Sequence, residues 1–320
     1  MPRSLCLLVA LAVLLSSPSP ALACSCGCGL FDVQAAAMAA DAGGDYPVQS
    51  GGPPAARRGG YVFLEYDDVD QNQNWRGSRR ASADDNEDKR LRTGFFTLGA
   101  QYMFGGSWGA MADLPVWTRG FKTVDDDGNL VSFHDTGIAD VRLRAVYTGF
   151  SEDRSAGITF GLKLPTGDYK AAGFDRDSQI GTGSTDVLLG AYRTGKLTDD
   201  GGLTWFGNLL FDQPALTAGG YRPGAELDAL LGAMFRGWEA GGARVSPLAQ
   251  AIFSARGRDT GTLAHPDDTG YGRLLVGPGV HLSAGRFVAD AGVGFPVAQN
   301  VNGNQLMAAR YWRLSAGWRF

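Results

Sequence analysis

Residues 309–320 read Ala-Arg-Tyr-Trp-Arg-Leu-Ser-Ala-Gly-Trp-Arg-Phe, and the alternation in this stretch decides the fold. In an extended chain Trp312, Leu314, Ala316, Trp318 and Phe320 share one face. Tyr311, Arg313, Ser315, Gly317 and Arg319 share the other. The same period of two returns upstream. Ile158, Phe160, Leu162 and Leu164 alternate with Thr159 and Lys163, and Val141, Leu143, Ala145 and Tyr147 oppose Arg142, Arg144 and Thr148. A soluble barrel hides its apolar face inside. Here the polar faces carry ionisable side chains on most strands, which suits a wet lumen and a lipid-facing exterior. A terminal Phe behind alternating apolar residues also resembles the signal read by outer-membrane barrel-assembly machinery, the first expected partner.

Twelve candidate strands follow from this pattern: 61–69, 93–104, 108–122, 138–150, 156–165, 185–195, 202–212, 225–236, 244–255, 271–282, 285–296 and 309–320. Each is long enough for a tilted strand to cross a bilayer. The connections alternate in length. Those at 105–107, 151–155, 196–201, 237–243 and 283–284 are short; those at 70–92, 123–137, 166–184, 213–224, 256–270 and 297–308 are long. Short periplasmic turns and longer extracellular loops are the outer-membrane pattern. The expected fold class is therefore all-β: a transmembrane antiparallel up-and-down β-barrel of about 12 strands over 61–320, in the bacterial outer membrane. Closure lets strands satisfy their backbone polar groups where there is no water.

Composition agrees. Glycine supplies 47 of 320 residues, too many for a helix-rich enzyme. With Lys+Arg 29 against Asp+Glu 33 there is no basic footprint, so nucleic acid is not an expected partner.

The N-terminus carries Arg3, an apolar run from Leu5 to Leu15 and an Ala21-Leu22-Ala23 cleavage pattern, which together read as a signal peptide over 1–23. Residues 24–60 are then a short flexible periplasmic segment opening with CSCGCG. Cys24, Cys26 and Cys28 are awkward mutual disulfide partners at this spacing, and three cannot all pair within the chain. They admit a soft-metal thiolate site as the one candidate cofactor, or lipidation of Cys24 or intermolecular pairing without metal.

By strand phase the inward acids are Glu65, Asp67, Asp113, Asp186, Asp228 and Asp290. The inward bases are Arg119, Arg142, Arg144, Lys163, Arg236, Arg273, Arg313 and Arg319. This near-balanced set reads either as ion pairs filling a narrow barrel or as a solute path whose Arg series attracts carboxylates. Twelve strands enclose less space than a porin's sixteen to eighteen, so a small or partly plugged channel is expected.

GLKLPTGDY at 161–169, IGTGSTDVLLGAY at 180–192, GIADVRLRAVY at 137–147 and YRPGAEL at 221–227 resemble the outer-membrane barrel family of meta-pathway phenol-degradation proteins. The likeness covers most of 60–320. It implies a transporter-like barrel associated with aromatic compounds. CSCGCG is not part of that pattern.

The expected function is a channel or transporter-like barrel for small, aromatic or anionic, solutes. The alternative is a structural or metal-associated barrel without flux. An enzyme is not expected, although an outer-membrane hydrolase has three short matches to weigh. His281-Leu282-Ser283 falls inward near a periplasmic turn, Ser132, His134 and Asp135 fall in a loop, and Gly105-Gly106-Ser107-Trp108-Gly109 lies in a hairpin where its motif requires a strand-to-helix elbow. The acidic runs 84–88 and 125–129 fall on extracellular loops, as solvated charge or as carboxylates for divalent ions bridging lipopolysaccharide. Outer-membrane lipid and lipopolysaccharide are the remaining expected partners. Trp75, in the polar run 70–75, is a candidate interface aromatic.

Overall fold

A computed structural model describes residues 58–320. The signal peptide and the Cys24, Cys26 and Cys28 cluster lie outside the described residues.

The chain forms β1 (Gly59–Gly77), β2 (Arg79–Arg80), β3 (Arg90–Gly105), β4 (Trp108–Val124), β5 (Leu130–Ile138), β6 (Val141–Tyr147) and β7 (Ala156–Leu164). It continues through β8 (Ser184–Lys196), β9 (Leu203–Thr217), β10 (Glu226–Phe235), β11 (Trp238–Ala240), β12 (Ala243–Arg256), β13 (Tyr271–Ala284) and β14 (Phe287–Arg319). All belong to one 14-stranded antiparallel sheet. Pairing of β10 with β12 and of β1 with β14 closes it into a barrel. β14 folds back on itself: its first half pairs with β13, its second with β1, and Gly303 at φ +61° makes the reversal. β5 and β6 share one position, both bonded to β4, while β2 and β11 are short extensions. The wall therefore has twelve positions among the described residues, in line with the period-two count.

Three boundaries differ from expectation. β1 runs on to Gly77, 130–138 is strand rather than loop, and the expected long loop at 297–308 is continuous ladder around a tight turn. The reason is common to all. Above the apolar belt the outward positions turn polar, as at Asp68, Asp70 and Asn72, so hydrophobic alternation stops while the hydrogen-bonded ladder continues. The expected strand 138–150 also splits: Ala139 still donates to the Pro115 carbonyl of β4 at 2.9 Å, but Ala139 and Asp140 belong to neither β5 nor β6.

Outward side chains form an apolar belt that includes Leu64, Leu98, Leu143, Leu162, Leu189, Leu231, Phe253, Phe295 and Leu314, all exposed on the barrel exterior. Near the short turns it ends in aromatic contacts. Trp108 meets Tyr147 at 4.8 Å and Phe160 at 6.1 Å, and Phe235 meets Trp238 at 5.8 Å between ring centroids. This is the amphipathic girdle of a membrane–water boundary. No described helix is long and apolar enough to cross a membrane.

Inside, side chains fill the barrel. Phe63 lies over Gly99, where a Cβ would stand 1.7 Å from its ring, and Phe206 lies over Gly232, where the gap would be 2.2 Å. Trp75 departs from the expected interface. Its ring packs against Tyr271, Val301 and Met307.

The closing seam ends in two backbone bonds, Gly60 N to Phe320 O at 2.8 Å and Phe320 N to Gly60 O at 2.9 Å. Deleting Phe320 removes both. On refolding into vesicles without assembly machinery, the variant should give a smaller fraction of compact, heat-modifiable barrel on gels than the full chain gives.

Candidate functional site: the lumen and its inward loop

Strand phase places Glu65, Asp67, Asp113, Arg119, Arg142, Arg144, Lys163, Asp186, Asp228, Arg273, Asp290, Arg313 and Arg319 on the inner face. Arg236 departs. β10 ends at Phe235, so the alternation no longer steers the next residue, and Arg236 sits exposed on a short turn, donating to the Asp200 carbonyl.

Most inner charges are spent on one another. Arg313 donates to Asp67 at 2.9 Å and to Glu65 at 3.1 Å. Arg144 pairs with Asp113, while Lys163 bridges Asp186 and Asp212, the latter at 3.1 Å. Arg273 is sandwiched between the rings of Tyr271 and Tyr311, 4.7 and 5.1 Å from their centroids. Tyr271 in turn donates to Glu226 at 2.7 Å, and Ser254 to Asp228 at 2.5 Å. Buried charge demands such pairing, since losing one partner strands the other at about 3–5 kcal/mol. Asp212, Glu226 and Arg256 belong to this interior although the sequence reading did not single them out. Glu226 and Arg256 lie at strand ends, where phase is hardest to extend, while Asp212 lies inside β9, which runs on to Thr217.

An apolar layer crosses the lumen among these pairs. Val69, Phe95, Trp117, Phe206, Leu230, Ile252, Leu275 and Tyr311 project from strands around the wall and join Ile180 of the 165–183 connection in one cluster. That connection is folded inward. Arg119, fully buried, donates to the carbonyls of Ser178 and Gln179, both at 2.7 Å, and to Thr93 at 3.0 Å. Phe174 stacks on inward Phe121 at 5.8 Å.

The clamp on this loop is Asp140, in the gap between β5 and β6. Its carboxylate accepts from Gly167 N at 3.0 Å, Thr182 N at 2.8 Å and the Thr182 hydroxyl at 2.5 Å, so it ties both stems together. Thr166 adds a bond to the Ala139 carbonyl at 2.7 Å. The stems touch backbone to backbone: a Cβ on Gly181 would lie 2.2 Å from the Gly167 carbonyl oxygen. GLKLPTGDY, IGTGSTD and GIAD, three of the segments quoted above, thus converge on one carboxylate. YRPGAEL meets a second one. Asp259 accepts from the Tyr221 hydroxyl at 2.5 Å, Gly224 N at 2.7 Å and Arg256 at 2.8 Å. Burial works against its ionisation, but these partners hold its carboxyl below the usual range.

The acidic run 84–88 faces the same loop. Asp88 is buried. That burial, then the charges of Asp175, Asp177 and Glu87, push its carboxyl up to about 8 against an opposing Thr123 contact. The second run is closed on itself, Asp125 accepting from Asp127 N at 3.1 Å and Asn129 N at 2.7 Å. No group of three or more metal-ligating side chains is gathered for a metal ion among the described residues.

The structure puts the three hydrolase matches on strands and in a hairpin. His281 and Ser283 point inward at the short-turn end as expected, but the His281 Nδ1 bonds Asp290 at 2.7 Å, and Asp290 also accepts from Ser315 at 3.2 Å. Ser132 and His134 lie on strand β5 rather than in a loop, facing outward, with Asp135 on the opposite face. Residues 105–109 form the β3–β4 hairpin, with Gly105 at φ +102° and Gly106 at φ +61°.

No family model matches the chain, that of the phenol-degradation proteins included, and no curated protein does. Solved structures do. An outer-membrane channel from Pseudomonas putida F1 superposes with a TM-score of 0.61 at 14% identity, over 86% of this chain and 99% of that one. The chain has the fold of that outer-membrane barrel. Looser matches include the CymD monoaromatic hydrocarbon channel, with a TM-score of 0.39 at 13% identity over 83% of this chain and 90% of that one. A FadL homologue of Pseudomonas aeruginosa has a TM-score of 0.37 at 8% identity over 82% and 90%.

Two outcomes follow. Asp140→Ala leaves three donors without an acceptor, a loss of about 2 kcal/mol or more, and should raise the open-loop population roughly 30-fold. Trypsin cleavage at Lys170 and Arg176 should then accelerate accordingly while the barrel stays intact. Asp88 binds its proton more tightly folded than unfolded. Its contribution to stability is therefore full below about pH 4 and is lost as pH rises through about 8. The melting temperature should fall between pH 5 and pH 9, and Asp88→Asn should flatten that fall.

Proposed function

We propose that the protein is a gated channel of the bacterial outer membrane for small solutes, with apolar aromatic molecules favoured over free anions. The observation that carries this reading is the apolar layer across the lumen beneath a clamped inward loop. Its aromatic side chains, Phe95 and Trp117 in edge contact at 4.8 Å with Phe206 and Tyr311 in the same cluster, offer an aromatic solute the ring contacts it loses on leaving lipid or water. The competing anion path draws less support, because Arg119, Arg144, Lys163, Arg273 and Arg313 are already engaged by protein groups. The Arg142 side chain has no hydrogen bond or ion pair among the described residues, but it faces Asp113 across the β4–β6 ladder and lies within electrostatic reach of Asp212 and Asp228 as well, so it too has acids about it. The likeness to the Pseudomonas putida channel supports the fold of such a device.

The test is flux. Barrels in liposomes should admit a small aromatic hydrocarbon faster than protein-free liposomes do, while ionic conductance stays low. Asp140→Ala and Arg119→Ala should raise conductance several-fold by freeing the loop. Arg142→Glu should shift ion selectivity towards cations. No flux of any solute in wild type and in both loop variants would leave a structural barrel, with its ion-pair network as filling.

A further inference from the structure

The barrel exterior carries a feature that the lumen does not use. A groove of about 440 Å3 lies on the outer wall at the long-loop end, crossing β1, β3, β4 and β5. Strand register sets its outward side chains in rows. Lowest is Tyr66–Phe96–Val116–Ile138, continuous with the apolar belt. Above it come Asp68, Gly94, Thr118 and Thr136, then Asp70, Arg92, Gly120 and His134, and finally Arg90, Lys122 and Ser132. The concavity exists because two central positions are glycine. A Cβ on Gly94 would stand 3.2 Å from the Tyr66 ring, and one on Gly120 would stand 3.1 Å from the His134 ring.

We propose that this groove binds the phosphorylated sugar headgroup of lipopolysaccharide, with the lipid's acyl chains along the row below. Charge complementarity favours this occupant. Asp70 holds Arg90 through two bonds of 2.7 Å, and Asp68 holds Arg92 at 3.0 and 3.1 Å, so both guanidiniums are fixed in place with donors to spare. The Lys122 and His134 side chains have no hydrogen bond or ion pair among the described residues and line the same groove. Cations above an apolar row match an amphiphile whose phosphates sit at the membrane surface. The Thr118 and Thr136 hydroxyls, 3.3 Å apart, add sugar-binding groups between the two zones. The site is on the wall's outer face and is independent of solute passage.

The test is native mass spectrometry of the detergent-purified barrel, titrated with bisphosphorylated lipid A and with its dephosphorylated form. One copy of the phosphorylated lipid should bind at least ten-fold more tightly than the phosphate-free form. Lys122→Glu and Gly120→Leu, one altering charge and one filling the groove, should each remove that preference. Arg193→Ala, an exposed cation on the outer face of β8, should leave it intact. Heat-modifiable mobility checks folding, and if Gly120→Leu misfolds, the exposed Lys122→Glu decides alone. Equal binding of the two lipids, no effect of Lys122→Glu, or an equal loss in Arg193→Ala would overturn the site in favour of an unspecific lipid annulus. Full displacement by millimolar inorganic phosphate would overturn it in favour of a free-phosphate site.

Discussion

Everything in this molecule follows from the need of each strand to satisfy its backbone N–H and C=O groups in a medium without water. Closure through β1 and β14 meets that need and leaves no edge. Closure also fixes the second problem. A ring of twelve positions encloses a lumen that cannot be left empty, and the inner side chains that fill it must satisfy each other. The glycines beneath Phe63 and Phe206 and the stacked Arg273 are consequences of that single constraint.

Filling by charge and filling by apolar groups have different effects. The ion pairs fix the barrel wall, because each is costly to break once desolvated. The apolar layer with Ile180 is held by weaker, non-directional contacts. The inward loop lies between these regimes. It is anchored by Arg119 and Asp140 through a few directional bonds to backbone groups, and a gate needs few anchors whose loss leaves the wall standing.

Period two placed the wall and nearly all of its inner charges, because alternation is enforced wherever one face meets lipid. It lost its grip where that enforcement ends. Arg236 lies just past β10, Trp75 lies in the polar part of β1 beyond the apolar belt, and β5 stands above that belt. The role of Asp140 was not legible at all, since its partners lie 27 and 42 residues away. Its signal was indirect: the quoted glycine-rich segments gain a physical reason only once the stems are seen to touch. The outer groove was equally hidden, because Gly94, Gly120, Lys122 and His134 become neighbours only through register.

The most direct test of the gate is the distance distribution between a spin label at Ala172, on the inward loop, and one at Leu216, exposed near the end of β9. It would be made by pulsed electron paramagnetic resonance in a variant lacking Cys24, Cys26 and Cys28. The account predicts one narrow distribution in the resting barrel. A broad distribution, like that of an untethered surface loop, would contradict it.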